Sequence, residues 1–284
     1  MTRLAIFGPG LLGGSLALAA RRAGGFRVAT WARRPEAVEE LKRLEVSDLA
    51  SANVAEVAHE ADLVVLCVPI GVMGSLSRQI EPHISPQTIV TDVGSVKAPV
   101  VAELGRIFAK NGRFIGSHPM AGSEQTGIEA ARADLFDGAV CIVTPDAQSD
   151  AEAVGGVHQF WQTFGSRVLE LGPAEHDEIV ALISHFPHLL AATLVSMVEK
   201  KNPKAFEFTG PGFRDTTRVA GGPPAMWTEI LRNNHAAVRA SAEAMIEKLR
   251  EIVTLLDHDA PMTEFLTQAK AQRDRLRLPK TTHA

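Results

Sequence analysis

The chemistry this chain could perform centres on His118, in the run Gly116-Ser117-His118-Pro119-Met120-Ala121-Gly122-Ser123-Glu124, downstream of a Gly94-Ser95-Val96-Lys97 turn. Imidazole has the unperturbed pKa nearest neutrality. A histidine in a turn beside a hydride acceptor can therefore take the proton of an alcohol while hydride leaves the same carbon. The chain begins with a segment suited to such an acceptor. Gly8-Pro9-Gly10-Leu11-Leu12-Gly13 follows an apolar strand pattern and opens a helical one. In that context Gly-x-Gly-x-x-Gly reads as a dinucleotide-binding loop, whose glycines allow a tight turn and close backbone approach while the helix N-terminus stabilises pyrophosphate charge.

Cofactor choice turns on the end of the second strand. NAD-selective loops place Asp or Glu there, about 20 residues on, to bond the ribose 2′-hydroxyl. Here the strand ends Trp31-Ala32-Arg33-Arg34-Pro35, with no carboxylate and two guanidinium groups. Such groups suit a 2′-phosphate. NADP is the preferred expectation; NAD is the alternative, with Arg33 and Arg34 solvated or stacked on adenine. Glu36 reads as a first-turn helix acid. Val68, Pro69 and Ser95 complete the expected cofactor contacts, and no metal site is expected.

Three other segments cluster polar groups in apolar surroundings: His176-Asp177, Ser184-His185-Phe186-Pro187-His188, and Gly212-Phe213-Arg214-Asp215-Thr216-Thr217-Arg218 leading to Trp227. One helical histidine alone reads as core. Several such groups beside a dinucleotide loop read as a site.

These groups need a scaffold. Short β-branched runs at 3–8, 27–32, 62–68, 88–93, 113–116, 139–144 and 167–171 alternate with helical patterns near 11–23, 35–44, 71–81, 96–110 and 150–164. That alternation predicts an α/β, Rossmann-type doubly wound parallel sheet. After Pro173 strand signals stop, and helices are expected over 175–200, 224–256 and 261–277. The expected domains are a dinucleotide-binding one over 1–172 and an all-helical substrate-binding and dimerisation one over 173–284. The Gly- and Pro-containing loop 202–222 is expected to line the site, and the tail past Pro279 to fray.

Composition excludes several classes. With 284 residues, 45% hydrophobic and 22% charged, and a net charge of −4, nothing favours nucleic acid or an anionic membrane. Cys67 and Cys141 sit in apolar strand-like runs and read as small hydrophobes. The stretch 4–20 looks like a secretory h-region, but its glycines fall where a phosphate loop needs them. No uninterrupted apolar run of membrane-spanning length is expected, and the chain is expected in the cytoplasm, as a homodimer through its helical domain.

Together, Gly8 to Gly13, Gly94 to Lys97, His118 to Glu124, Ser184 to His188 and Phe213 to Arg218 closely resemble the prephenate and arogenate dehydrogenases of tyrosine biosynthesis, over residues 3 to about 270. The resemblance implies NAD(P)-dependent oxidative decarboxylation of prephenate, arogenate or both. It assigns His118 to the substrate's ring hydroxyl and Ser95 to a hydrogen bond that orients the imidazole. Arg218 is assigned to the substrate carboxylate, and His188, Ser184, Arg214 and Trp227 to the substrate pocket. Ser123, Glu124, His176 and Asp177 fall where the family lines or gates that pocket, while His185 reads as structural. Two positions depart from the family pattern: Pro211 precedes Gly212, and Arg214 stands where lysine is common.

A residue near Gln125 to Ala130 is expected to separate prephenate from arogenate, and no chorismate mutase segment or regulatory domain is expected. The absence of tyrosine from a chain with twelve phenylalanines is in keeping with an enzyme that makes tyrosine. Two rivals remain: a β-hydroxyacid-type NADP oxidoreductase, which would need a catalytic lysine such as one of the Lys200, Lys201 and Lys204 cluster, and a non-catalytic dinucleotide-sensing regulator, which would need no base.

Overall fold

The computed structural model describes residues 1–122 and 125–276. Ser123, Glu124 and the tail beyond Leu276, all subjects of expectations above, lie outside the described residues.

The first part is a parallel sheet. Strands β1 (Thr2–Phe7), β2 (Phe26–Trp31), β3 (Leu49–Ser51), β4 (Leu63–Leu66), β5 (Ile89–Asp92) and β6 (Arg113–Phe114) lie in the order β3-β2-β1-β4-β5-β6. Helices α1 (Leu11–Ala23), α2 (Pro35–Arg43), α3 (Val54–Ala58), α4 (Ile70–Ile80) and α5 (Ala98–Ile107) make the crossovers. This is the expected Rossmann architecture. Strand order reverses between β1 and β4, so the crevice for a ligand opens where Gly8 and Cys67–Val68 leave the sheet. Alternate side chains pack on opposite faces: Leu4, Ile6 and Val65 meet Leu16 and Trp161, whereas Phe7, Val64 and Leu66 meet Met73, Leu76 and Phe108.

At Ile115 the chain changes sheets. β7 (Gly116–Pro119) pairs antiparallel with β8 (Val140–Thr144), and β8 pairs parallel with β9 (Arg167–Glu170), which follows α6 (Ala151–Thr163). His118 was expected in a turn; it lies inside β7, opposite Ile142. Ser117 bolts this strand to the parallel sheet. Its hydroxyl donates to the Asp92 carbonyl (2.6 Å), accepts from Trp161 Nε1 (3.0 Å) and lies 2.8 Å from Thr91 Oγ1.

The remainder is helical: α7 (Pro173–Val180), a single π-turn over Ala181–His185, α8 (Phe186–Lys201), α9 (Pro211–Thr217), α10 (Pro224–Asn233), α11 (His235–Leu255) and α12 (Asp259–Asp274). The expected single helix over 224–256 is broken at Asn234, whose side chain turns inward to donate to the Asp177 carbonyl at 2.7 Å. Segment 202–222 is built from α9 and two 3-10 turns.

By packing, the chain divides into Met1–Val238 and Arg239–Ala284. Within the first unit, α7 packs on α5 and β8, and α10 packs on α4. Within the second unit, Ile246, Leu249, Val253, Leu256 and Leu266 are exposed.

The continuous helical stretch Pro173–Lys201, 29 residues, contains an 18-residue window of mean hydropathy 1.7, long and apolar enough to cross a membrane by length and composition alone, although Ser184, His185, Pro187 and His188 interrupt its apolar run. It is two-sided in character. His176, Asp177, His185 and His188 are buried in the protein, while Leu190 and Met197, seven residues apart and so close to one face, are exposed.

Candidate active site

The glycine loop is shaped by contacts that exclude side chains. Gly8 has φ +114°, and a Cβ there would stand 2.4 Å from the Cys67 carbonyl oxygen and 2.9 Å from a Val68 methyl; at Gly13 it would stand 1.9 Å from the Gly8 carbonyl. At Gly10 the same atom would meet open space. That space adjoins the N-terminus of α1, which has no acidic side chain in its first turn. A phosphate-bearing dinucleotide therefore fits the residues present. Pro9 and Leu11–Leu12 are half-buried, and Pro69, exposed, caps α4. Arg33 and Arg34 are exposed past the end of β2, where Arg34 caps α2 and Pro35 begins it. Cys67 and Cys141 are unpaired, with burial pushing both thiols far up.

His118, 7% exposed, is held from behind. Its Nδ1 lies 2.9 Å from His176 Nε2, and His176 Nδ1 lies 2.8 Å from Asp177 Oδ1. Asp177 in turn closes the N-terminus of α5: Oδ1 accepts from Lys97 N–H (2.7 Å) and Oδ2 from Ala98 N–H (2.9 Å). The orienting partner of Nδ1 is thus His176, and the expected Ser95 bond to the imidazole is not among those of the described residues. His176, expected to line the pocket, has a fully buried ring bonded on both sides, to His118 and to Asp177.

Electrostatics keep these rings neutral. Burial pushes the His118 pKa well below its usual value, and His176, Lys97 and His185 nearby push the same way. His176 is also depressed by burial, against the pull of Asp177. His185, buried with Nδ1 3.1 Å from Asn234 Nδ2, is lowered to about 4, mainly by burial. The Ser95 backbone lies beside it.

His188 stacks on Trp227 with ring centroids 3.6 Å apart and planes 9° from parallel, and His185 meets the same indole edge-on. Gly222 permits this packing, since a Cβ there would stand 2.4 Å from Trp227 Nε1. Val219 backbone lies beside His188, which brings the turn Arg218–Gly221 to the stacked pair. Arg218 and Arg214 are exposed and Ser184 is half-buried. Lys200, Lys201 and Lys204 are exposed around the end of α8.

Two supporting groups escaped sequence reasoning. Lys97 and Asp92 form a fully buried ion pair, and Lys97 Nζ also donates to the Ser117 carbonyl at 2.9 Å, fixing the strand that carries His118. The available signal was an opposite charge at each end of the otherwise uncharged stretch Asp92 to Lys97, which follows an apolar strand.

A Rossmann sheet with a glycine loop at its switch point, joined to a buried neutral histidine held by helices that follow, defines a nicotinamide-dependent dehydrogenase. Residues 16–170 match the nucleotide-binding domain of prephenate dehydrogenase, and residues 172–270 match the dimerization domain of the same enzyme. The chain belongs to the prephenate dehydrogenase family, and is an NAD(P)-dependent oxidoreductase.

It is similar to the cyclohexadienyl dehydrogenase of Zymomonas mobilis, with 32% identity over 99% of this chain and 97% of that one. Identity to the prephenate dehydrogenase of Bacillus subtilis is 33%, over 95% and 75% of the two chains. The crystal structure of prephenate dehydrogenase from Aquifex aeolicus, in complex with hydroxyphenyl propionate and NAD+, superposes with a TM-score of 0.91 at 30% identity, covering 97% of this chain and 98% of that one.

Proposed function

We propose that this chain oxidises prephenate, arogenate or both, with loss of CO2, to 4-hydroxyphenylpyruvate or tyrosine, using NADP in preference to NAD. The observation that carries this reading is a buried neutral His118, braced through Nδ1, in a member of this family.

Both substrates are cyclohexadienols with a hydroxyl and a hydrogen on C4 and a carboxylate on C1. When bound, the nicotinamide accepts the C4 hydrogen as hydride. His118 takes the hydroxyl proton, so C4–O becomes a carbonyl. The C1–carboxylate bond then breaks, its electron pair enters the ring, and the oxygen recovers the proton as the ring becomes aromatic. Aromatisation makes the sequence effectively irreversible. A positioned base of this kind contributes about 10²–10⁴-fold.

The other roles follow from chemistry and placement. Arg218 binds substrate carboxylate, with Arg214 nearby in sequence; His188, Ser184 and Trp227 line the pocket, with Ser123 and Glu124 assigned there on sequence alone. Ser95 is assigned to the cofactor side of the catalytic imidazole, its backbone lying beside His185. Gly8 to Gly13 hold the pyrophosphate, Arg33 and Arg34 the 2′-phosphate, and Val68 and Pro69 the nicotinamide side. The enzyme works as a cytoplasmic homodimer, for which the exposed Leu190–Met197 stripe supplies an apolar face. An absorbance assay at fixed enzyme, pairing each substrate with each nicotinamide cofactor, tests the proposal. Fastest turnover with NADP is expected; no turnover in any pairing would point instead to a dinucleotide sensor.

A further inference from the structure

We infer that His176 and Asp177 are positioning residues that hold His118 as its Nδ1–H tautomer, making Nε2 the nitrogen that receives the substrate proton. The inference rests on His118 being the base.

Both carboxylate oxygens of Asp177 already accept backbone N–H groups, Oδ1 from Lys97 and Oδ2 from Ala98. An oxygen in that position faces His176 Nδ1 as an acceptor, so Nδ1 must carry the proton. A neutral imidazole has one N–H only, which leaves His176 Nε2 as a lone pair. His118 Nδ1, 2.9 Å away, must then donate to it. The single N–H of neutral His118 is thereby spent on Nδ1, and Nε2 is bare. Burial supports neutrality of both rings, since it opposes charging at each.

The arrangement does for a histidine base what a carboxylate does for the base of a hydrolytic triad, with a second imidazole interposed. It selects one tautomer and one ring orientation. Asp177 Oδ1 also shares its lone pairs with α5, so the register of that helix sets the position of the wire, and Asn234 pins the Asp177 carbonyl from the far side.

The test uses the full-length enzyme with ¹⁵N-labelled histidine. Proton-coupled nitrogen NMR is expected to show His118 with a protonated Nδ1 and a bare Nε2. His176→Phe, which removes the acceptor, is expected to lower kcat by about tenfold or more, up to the roughly 10⁴-fold cost of a wrong tautomer, with KM for substrate and cofactor within about twofold. His176→Gln, whose Oε1 can accept from Nδ1, is expected to recover most of the loss. A proton on His118 Nε2 in the wild-type spectrum overturns the inference, as does wild-type kcat in His176→Phe. If that variant does not fold, the wild-type spectrum decides. His118→Asn separates the two readings: its inactivity beside an active His176→Phe removes only the wire, whereas full activity of His118→Asn removes the base itself.

Discussion

Lys97 and Asp92 pair with no exposed surface on either side chain, directly beneath the strand that carries His118. Burial lowers the Lys97 pKa, and Asp92 opposes that shift. Removing one member of a buried pair leaves the other charge uncompensated and costs about 3–5 kcal/mol. Lys97→Met is therefore expected to lose that much stability in urea unfolding. An unchanged midpoint would contradict a structural role for the pair.

For His118→Asn the expected result is normal NADP affinity and a kcat lower by about 10²–10⁴-fold. Fluorescence titration of the cofactor and steady-state kinetics on one preparation separate the two quantities. Unchanged turnover would remove His118 from the chemistry.

Arg218→Ala removes a charge-assisted contact worth about 1.5–3 kcal/mol. The loss should appear mainly as a higher KM for prephenate or arogenate, roughly tenfold to a hundredfold, with little change in cofactor KM. A normal substrate KM would sink the carboxylate assignment.

The double substitution Arg33→Ala and Arg34→Ala should raise the KM for NADP by about tenfold or more while leaving that for NAD nearly unchanged, because only NADP carries the 2′-phosphate. Equal effects on the two cofactors would place both guanidinium groups elsewhere.

Stability should fall in mild acid. His185 has a folded pKa of about 4, depressed chiefly by burial, against about 6.5 for an unperturbed histidine. Below about pH 6.5 the unfolded chain takes up a proton that the folded protein refuses. The stabilisation is thus complete above that pH and is lost as pH drops through about 4; a shift of this size corresponds to about 3 kcal/mol. His118 and His176, depressed by burial too, add loss of the same sign. Urea midpoints at pH 7.5 and 4.5 measure it, and His185→Asn should flatten the difference.

What was legible in the sequence was local. The β1–glycine loop–α1 unit declares itself because strand period, turn glycines and helix pattern all fall within residues 2–23. β3 and α3 were missed because three and five residues are too few to establish a period. β7 was missed because a strand reading Gly-Ser-His-Pro has poor intrinsic β-propensity and is held by the tertiary bonds of Ser117. His118 was identifiable by type and neighbourhood, but its partner is 58 residues away, past two strands and a helix, and nothing in either segment announces that hydrogen bond.

Gly14 and Ser15, on the helix behind the glycine loop, hold the turn that comes after His118: a Cβ on Gly14 would press within 2.9 Å of the Ala131 methyl, and Ser15 Oγ accepts from Arg132 N–H at 3.0 Å. The segment expected to set ring-substrate choice, residues 125–130, thus leans on the helix that follows the glycine loop, and a redesign of it for a different side chain should be screened for coenzyme affinity together with substrate range.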